Sequence, residues 1–276
     1  MPRSMRGRVL AIAGSDSGGG AGIQADIKTI TALGAYAATA ITALTAQDTR
    51  MVHAVHAVPL AFLRLQIEHA LADPGADAVK TGMLGDAAVV DLVCDVLEAR
   101  AAGLPLVVDP AMLSKGGQAL LARAALGTLK RRLLPLASVL TPNLPEAEAL
   151  TGLRIVDPAG MQVAAQVLRE LGAAAVLLKG GHLPGPTLVD VLATADGIET
   201  FEARRIATRH THGTGCTLAS AIAAGLAQGM RLGDAVRRAR AYVRAAIAAA
   251  PGFGMGQGPL NHAVTADPAR LACDTA

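Results

Sequence analysis

The sequence predicts a single three-layer α/β/α domain built on a central, mostly parallel sheet. Three observations carry that prediction. Short apolar runs and helical periodicities alternate along nearly all of the 276 residues, the pattern that βαβ units leave in a sequence. Several apolar runs stop on a glycine-rich turn or a charged residue, as strands do at the ligand-binding edge of an open parallel sheet. No Ser- or Pro-rich linker and no repeat interrupts the alternation, so one domain is expected over 1–266, with a flexible tail over 267–276.

Val9-Leu-Ala-Ile-Ala13 opens the chain as a buried strand, and Gly14-Ser-Asp-Ser-Gly-Gly-Gly-Ala-Gly22 turns it into a helix reaching about Leu33. The turn has neither the G-x-G-x-x-G spacing of a dinucleotide site nor the Gly-Lys-Ser/Thr of a P-loop; its glycines let the backbone approach a ligand closely. Asp26 falls one helical turn past Gly22, expected on an exposed turn. It is either favourable charge near a helix start or a ligand-binding carboxylate. Tyr36 to Thr45 reads as a strand that ends near Gln47, and Pro59 to Leu71 as a helix. His53, His56 and His69 show no metal-like pairing. Ala76 to Lys80 is a short strand, Thr81 to Gly85 a loop carrying Met83, and Ala87 to Ala101 a helix that holds Cys94 as inert packing.

Leu106-Val-Val-Asp109 is a strand that stops on a carboxylate. After a helix ending at Arg131-Arg132, Ser138 to Thr141 repeats the pattern and delivers Pro142-Asn143-Leu-Pro-Glu146. Asn143 and Glu146 either cap the next helix or present two oxygens on one face. A helix from Pro158 to Leu171 precedes the strand Ala174 to Lys179. Thr187 to Ala193 and Ile198 to Phe201 pair around Asp196-Gly197 as a hairpin, and Leu232 to Ala249 is the last helix.

Between them, His210-Thr-His-Gly-Thr-Gly-Cys-Thr217 runs directly into an alanine-rich helical pattern. The first N–H groups of a helix lack internal partners and the peptide dipoles leave that end positive, so phosphate is attracted there. Gly213 and Gly215 clear the approach, while Thr214, Cys216 and Thr217 add side-chain donors.

Composition narrows the function classes. Only 2% of residues are aromatic and none is Trp, which argues against stacking platforms for single-stranded nucleic acid. The net charge of +3 is modest, and the run Arg237, Arg238, Arg240 and Arg244 reads as a solvated helix face. Three widely spaced cysteines give neither a disulfide framework nor a zinc spacing. A reducing cytoplasm fits, and the apolar run after the basic N-terminus is too short for a signal peptide. Thr29 to Gln47 and Thr211 to Met230 lack charges, yet their threonines and glycines make them poor membrane spans.

In combination, these motifs resemble the ribokinase-like superfamily. Ala13 to Asp26, Thr42 to Gln47, Lys80-Thr-Gly-Met-Leu84, Thr141-Pro-Asn-Leu-Pro-Glu-Ala-Glu148 and Thr211 to Thr217 are similar to the hydroxymethylpyrimidine/phosphomethylpyrimidine kinases of thiamine biosynthesis, from about Val9 to His262. The resemblance implies ATP-dependent phosphorylation of 4-amino-5-hydroxymethyl-2-methylpyrimidine and then of its monophosphate, with Mg²⁺, in a cytoplasmic protein that is commonly a homodimer.

It places the phosphate cradle at Gly213, Thr214, Gly215 and Cys216, a mobile cation at Lys179, and Mg²⁺ at Asp109, Asn143 and Glu146 through water. It places the aminopyrimidine near Gly20, Ala21, Gly22, Asp26, Gln47 and Met83, where Met83 alternatively serves as core filler. Cys216 stands where related sugar kinases carry an Asp base. The helix start is expected to lower its thiol, so that it either takes part of the hydroxyl proton or anchors the hydroxyl. Lys115 and His212 are candidates for the phosphate of the second substrate, with Lys115 alternatively a solvated surface lysine. A pyridoxal or pyridoxine kinase, or a non-catalytic ligand-binding regulator on the same fold, are the competing readings.

Overall fold

The computed structural model describes residues 5–113 and 119–266. Its strands and helices alternate as the apolar pattern requires: β1 (Arg8–Asp16), α1 (Gly22–Ala32), β2 (Tyr36–Gln47), β3 (Val52–Ala57), α2 (Leu60–Ala72), β4 (Ala78–Thr81), α3 (Ala87–Arg100) and β5 (Leu106–Val108). There follow α4 (Ala125–Thr128), β6 (Val139–Leu140), α5 (Leu144–Thr151), α6 (Pro158–Glu170), β7 (Val176–Lys179), β8 (Thr187–Thr194), β9 (Gly197–Arg204), α7 (Thr214–Ala227) and α8 (Leu232–Ala248).

The strands form one sheet in the order β3-β2-β1-β4-β5-β6-β7-β8-β9. From β2 to β7 neighbours run parallel, while β3, β8 and β9 are antiparallel additions at the two ends. Strand side chains alternate between two cores, as a sheet covered on both faces demands. Val9, Val107 and Leu177 pack with Ile30, Ile222 and Val236 from α1, α7 and α8. On the other face, Leu10, Ile12, Leu106, Val108 and Leu178 pack with Leu63, Val93, Leu150 and Met161 from α2, α3, α5 and α6. Cys94 is fully buried in that second core, where burial pushes its thiol up to about 12.

Two expectations are corrected. Val52–Ala57, unassigned in the sequence, is an edge strand whose register against β2 runs from Ala43↔Ala57 to Gln47↔Val52. Of the four arginines read as a solvated face of α8, only Arg237 is exposed. Arg240 reaches the nearly buried Asp190 at 2.8 Å and lies over the Phe201 ring, Arg244 holds the Arg204 carbonyl, and Arg238 holds the Gln228 amide oxygen. They fasten α8 to the β8–β9 hairpin and to α7. The segment after α4 continues through a widened turn, Leu129–Leu133, and a tight one, Leu134–Leu136, that accommodates Pro135.

Because the chain leaves β1 for β2 and returns on its other side as β4, the strand order reverses at β1. Open α/β sheets bind ligands beyond the carboxyl ends of the strands at such a point. Asp16, Thr81 and Lys179 end their strands there, and Asp109 and Asn143 follow β5 and β6 within three residues.

Candidate active site

The glycine-rich turn after β1 is built around Asp16. Its nearly buried carboxylate accepts from the N–H groups of Gly18 (2.8 Å), Gly20 (3.1 Å) and Ala21 (2.8 Å), and from His212 Nε2 (2.8 Å). Burial opposes its ionisation, but His212 and the Ala21 and Gly18 N–H groups outweigh that and hold it below the usual carboxylate range. The turn therefore curls on an ionised side chain. Two glycines are demanded by what they touch: a Cβ on Gly22 (φ 55°) would run into the Gly14 carbonyl, and one on Gly213 (φ 85°) into the Gly20 carbonyl. That last contact joins the glycine-rich turn after β1 directly to the start of α7.

His212 strengthens the junction. Its N–H donates to the Gly258 carbonyl, while its ring lies 3.3 Å from the Gln47 amide nitrogen and so close to Gly20 that a Cβ there would sit 2.5 Å from Cδ2. With the ring bound to Asp16, it acts as a brace between the two loops. Gln47 is half-buried beside it and also meets Thr45 Oγ1. Met83 is half-buried, with its carbonyl held by Thr42 Oγ1 at 2.7 Å and its sulfur against Gly14.

At the start of α7, Gly213 is the N-cap and supplies no side-chain cap. The Gly215 and Cys216 N–H groups have no acceptor among the described residues, which leaves the helix end open to an anion. Lys179 faces this opening: its Nζ lies 3.3 Å from Asp109 Oδ1 and 3.3 Å from where a Cβ on Gly215 would be. Burial disfavours its ammonium, but Asp109 and Glu146 outweigh that and keep it charged.

Asn143 and Glu146 form a reciprocal capping box on α5. Asn143 Oδ1 accepts from the Glu146 N–H at 2.9 Å, and Glu146 Oε2 from the Asn143 N–H at 2.8 Å. The Asn143 oxygen expected to serve a metal is thus engaged in the cap. Glu146 is 4% exposed and also accepts from the Met112 N–H at 3.3 Å; burial pushes its carboxyl up, with Lys179 opposing. Among the described residues no three His, Cys, Asp or Glu side chains converge as a direct ligand set. Asp109 and Glu146 are hard oxygen donors, with Asp109 close enough to help raise Glu146, and Asp109 Oδ2 has no partner among the described residues, a pair suited to a divalent cation carrying its own waters.

Two expectations about the reacting centre change. Asp26 is not on an exposed turn. It is fully buried, with both oxygens 2.9 Å from Lys80 Nζ and one accepting from Ser220 Oγ at 2.7 Å, so both its oxygens are engaged by protein groups. Cys216 is half-buried, and its thiol is not lowered: burial pushes it up to about 12, with Asp109 and Asp26 adding to the rise, against the pull of Lys80 and of the Gly22 N–H that points at the sulfur. Desolvation exceeds the helix-end effect here. Lys115 lies outside the described residues, as does the tail 267–276. Asp16 and Lys80 were not singled out by the sequence reading. Asp16 ends an apolar strand on a carboxylate, the same signal that marked Asp109.

Residues 16–261 match the family model described as phosphomethylpyrimidine kinase. The chain belongs to the phosphomethylpyrimidine kinase family. It is 48% identical over 254 residues to the hydroxymethylpyrimidine/phosphomethylpyrimidine kinase of Streptomyces coelicolor, covering 92% of this chain and 93% of that one. It is 51% identical over 266 residues to a bifunctional thiamine biosynthesis protein of Geobacter sulfurreducens, covering 96% of this chain and 54% of that longer one. Among solved structures, the phosphomethylpyrimidine kinase of Clostridium difficile is 40% identical with a TM-score of 0.78, covering 87% of this chain and 99% of that one. The pyridoxal kinase of Bacillus subtilis, as an ADP complex, is 36% identical with a TM-score of 0.86, covering 94% and 98%. This member of the kinase family keeps the ribokinase-like sheet and helix layers of those neighbours, and no helix among its described residues is long and apolar enough to cross a membrane.

Proposed function

We propose that this kinase transfers the terminal phosphoryl group of ATP to the hydroxymethyl group of 4-amino-5-hydroxymethyl-2-methylpyrimidine, and then phosphorylates the monophosphate, within thiamine biosynthesis. The observation that carries the reading is the contact of the two glycine turns at Gly20 and Gly213, which sets an acceptor pocket against an open helix N-terminus with Cys216 at the seam. Phosphoryl transfer asks for in-line positioning and neutralised oxygens rather than covalent chemistry by the protein.

In this reading Gly213, Thr214, Gly215 and Cys216 cradle the phosphates at the start of α7, and Lys179 follows the charge on the transferring group. Asp109 and Glu146 would hold Mg²⁺ through its waters; when bound, the ion neutralises phosphate oxygens. Gly20, Ala21 and Gly22 form the pocket wall, the Gln47 amide serves both a donor and an acceptor on the pyrimidine edge, and Met83 covers a ring face. Cys216 stays protonated, so it anchors the hydroxyl oxygen. In a loose transition state the hydroxyl proton leaves late, and an anchor suffices.

We further propose a cytoplasmic setting, supported by Cys94 and Cys216 being free thiols. A homodimer is proposed on the exposed apolar side chains of β3 and α2, Val55, Leu60, Phe62 and Leu65; sedimentation of the purified chain tests it.

Pyridoxal as acceptor is the second reading, favoured by the fold of the pyridoxal kinases of Bacillus subtilis and Staphylococcus aureus, whose TM-scores are 0.86 and 0.87. ATP consumption measured side by side with hydroxymethylpyrimidine, its phosphate and pyridoxal separates them. The pyrimidines are expected to give the larger kcat/KM. Turnover of pyridoxal alone would replace the proposal, and turnover of none would favour a regulator.

A further inference from the structure

The largest fully buried charged group near the site has no part in the chemistry above. Lys80, at 0% exposure, is the next-to-last residue of β4, just before the Gly82-Met83 loop, and its ammonium grips both oxygens of Asp26 at 2.9 Å. Asp26 in turn accepts from Ser220 Oγ at 2.7 Å. The three residues come from β4, α1 and α7, the elements that present the Met83 loop, the glycine turn and the phosphate cradle.

The register is the informative part. On α1, Asp26 lies four residues past Gly22; on α7, Ser220 lies four residues past Cys216. Residues four apart stack on one face of a helix. The turn and the two helices therefore meet at two levels: Gly213 against the Gly20 carbonyl at the open end, and Asp26 to Ser220 beneath it. Lys80 closes the lower contact from the sheet. Its ammonium sits against Gly82, where a Cβ would lie 2.9 Å from Nζ and 3.0 Å from the Ala13 Cβ.

We infer that Lys80 is a positioning residue for phosphoryl transfer, acting through Asp26 and Ser220 to fix the height of Cys216 against the glycine turn. A buried ion pair is a poor way to gain stability, because well-packed apolar residues of similar volume do as well or better. What it supplies is a single geometry: a carboxylate with three directed contacts sets the axial register of α1 against α7, which alanine-rich packing such as Ala219, Ala221 and Ala223 leaves free to slide. Small displacements between donor and acceptor cost rate steeply. The inference rests on Cys216 standing beside the acceptor hydroxyl.

Steady-state kinetics on three variants of the full chain test it. Ser220→Ala removes the lower contact without burying a charge, and the double variant Lys80→Met with Asp26→Leu removes both charges together, which spares the fold the unpaired carboxylate that Lys80→Met alone would leave. Both are expected to lose about tenfold to a hundredfold in kcat, with KM for ATP and for the pyrimidine within about twofold of the parent, as misplacement without lost binding predicts. A defect in folding would instead lower the active fraction, read by titrating nucleotide sites, and leave kcat per site unchanged. Parental kcat per site in both clamp variants, or a rise in KM with kcat intact, would overturn the inference. Parental kcat in Cys216→Ala, measured alongside, would overturn only the role given to the thiol.

Discussion

Cys216 shows how far a single residue's environment departs from its position in the sequence. A thiol at a helix start is ordinarily made more acidic, yet this half-buried one loses hydration and feels the charges of Asp109 and Asp26, and its titration is pushed up to about 12. A group titrating there is neutral throughout pH 6–9, so the kcat profiles of the parent and Cys216→Ala are expected to have the same shape across that range. Cys216→Ala should lower kcat by about tenfold to a hundredfold through lost orientation, and Cys216→Ser, which keeps a donor and acceptor, should recover most of it. A limb near pH 8 present in the parent and absent from the alanine variant would make the thiolate a base instead.

His262 offers a second residue-scale test. It is 5% exposed, bonded to Thr217 Oγ1 at 2.9 Å, and burial lowers its titration to about 4, with Lys28 adding to the shift. Because the folded state holds the neutral ring, its stabilisation is present above the unfolded value near 6.5 and is lost as pH falls toward 4. Urea midpoints should drop over that window by the equivalent of about 3 kcal/mol at this site, and His262→Gln should flatten the drop.

At the scale of elements, the long strands and helices were legible because burial on both faces writes continuous apolar runs, and β1 and β7 stop on, and β5 just before, the polar residue that the sheet edge needs. The edge strand β3 was not. Its sequence Val-His-Ala-Val-His-Ala is almost wholly exposed, so no apolar face marks it. Asp26 misled for a related reason: the partners that bury it, Lys80 and Ser220, stand 54 and 194 residues away, beyond any local pattern.

The arginine run of α8 misled in the same way, and its true role carries a prediction. Asp190 receives Arg240 on one oxygen and the Gly180 N–H on the other at 3.0 Å, directly after Lys179. Removing Arg240 as Arg240→Ala strands a buried carboxylate and is expected to cost about 3–5 kcal/mol in chemical denaturation. It should also raise KM for ATP more than KM for the pyrimidine, since the strand end that carries Lys179 loosens. Equal changes in both would separate the hairpin from the nucleotide side.

For the molecule as a whole, the parts of the site are all set on one continuous sheet. The glycine-rich turn follows β1 and the Met83 loop follows β4; Asp109 follows β5, Lys179 ends β7, and the proposed phosphate cradle opens α7, which packs across the same sheet. Every one of these positions is set by a sheet whose central strands β1 and β4 are buried on both faces, so local opening of one part removes support from the rest. Thermal unfolding is therefore expected as one transition, followed by circular dichroism and calorimetry together. A non-hydrolysable ATP analogue and the pyrimidine should each move that same transition, by on the order of 5 °C at a hundred times their dissociation constants. Two resolved transitions, with nucleotide moving one and the pyrimidine the other, would mean that the glycine-rich turn and the proposed cradle are held by separate units, and the contact of Gly20 with Gly213 could not then be what aligns them.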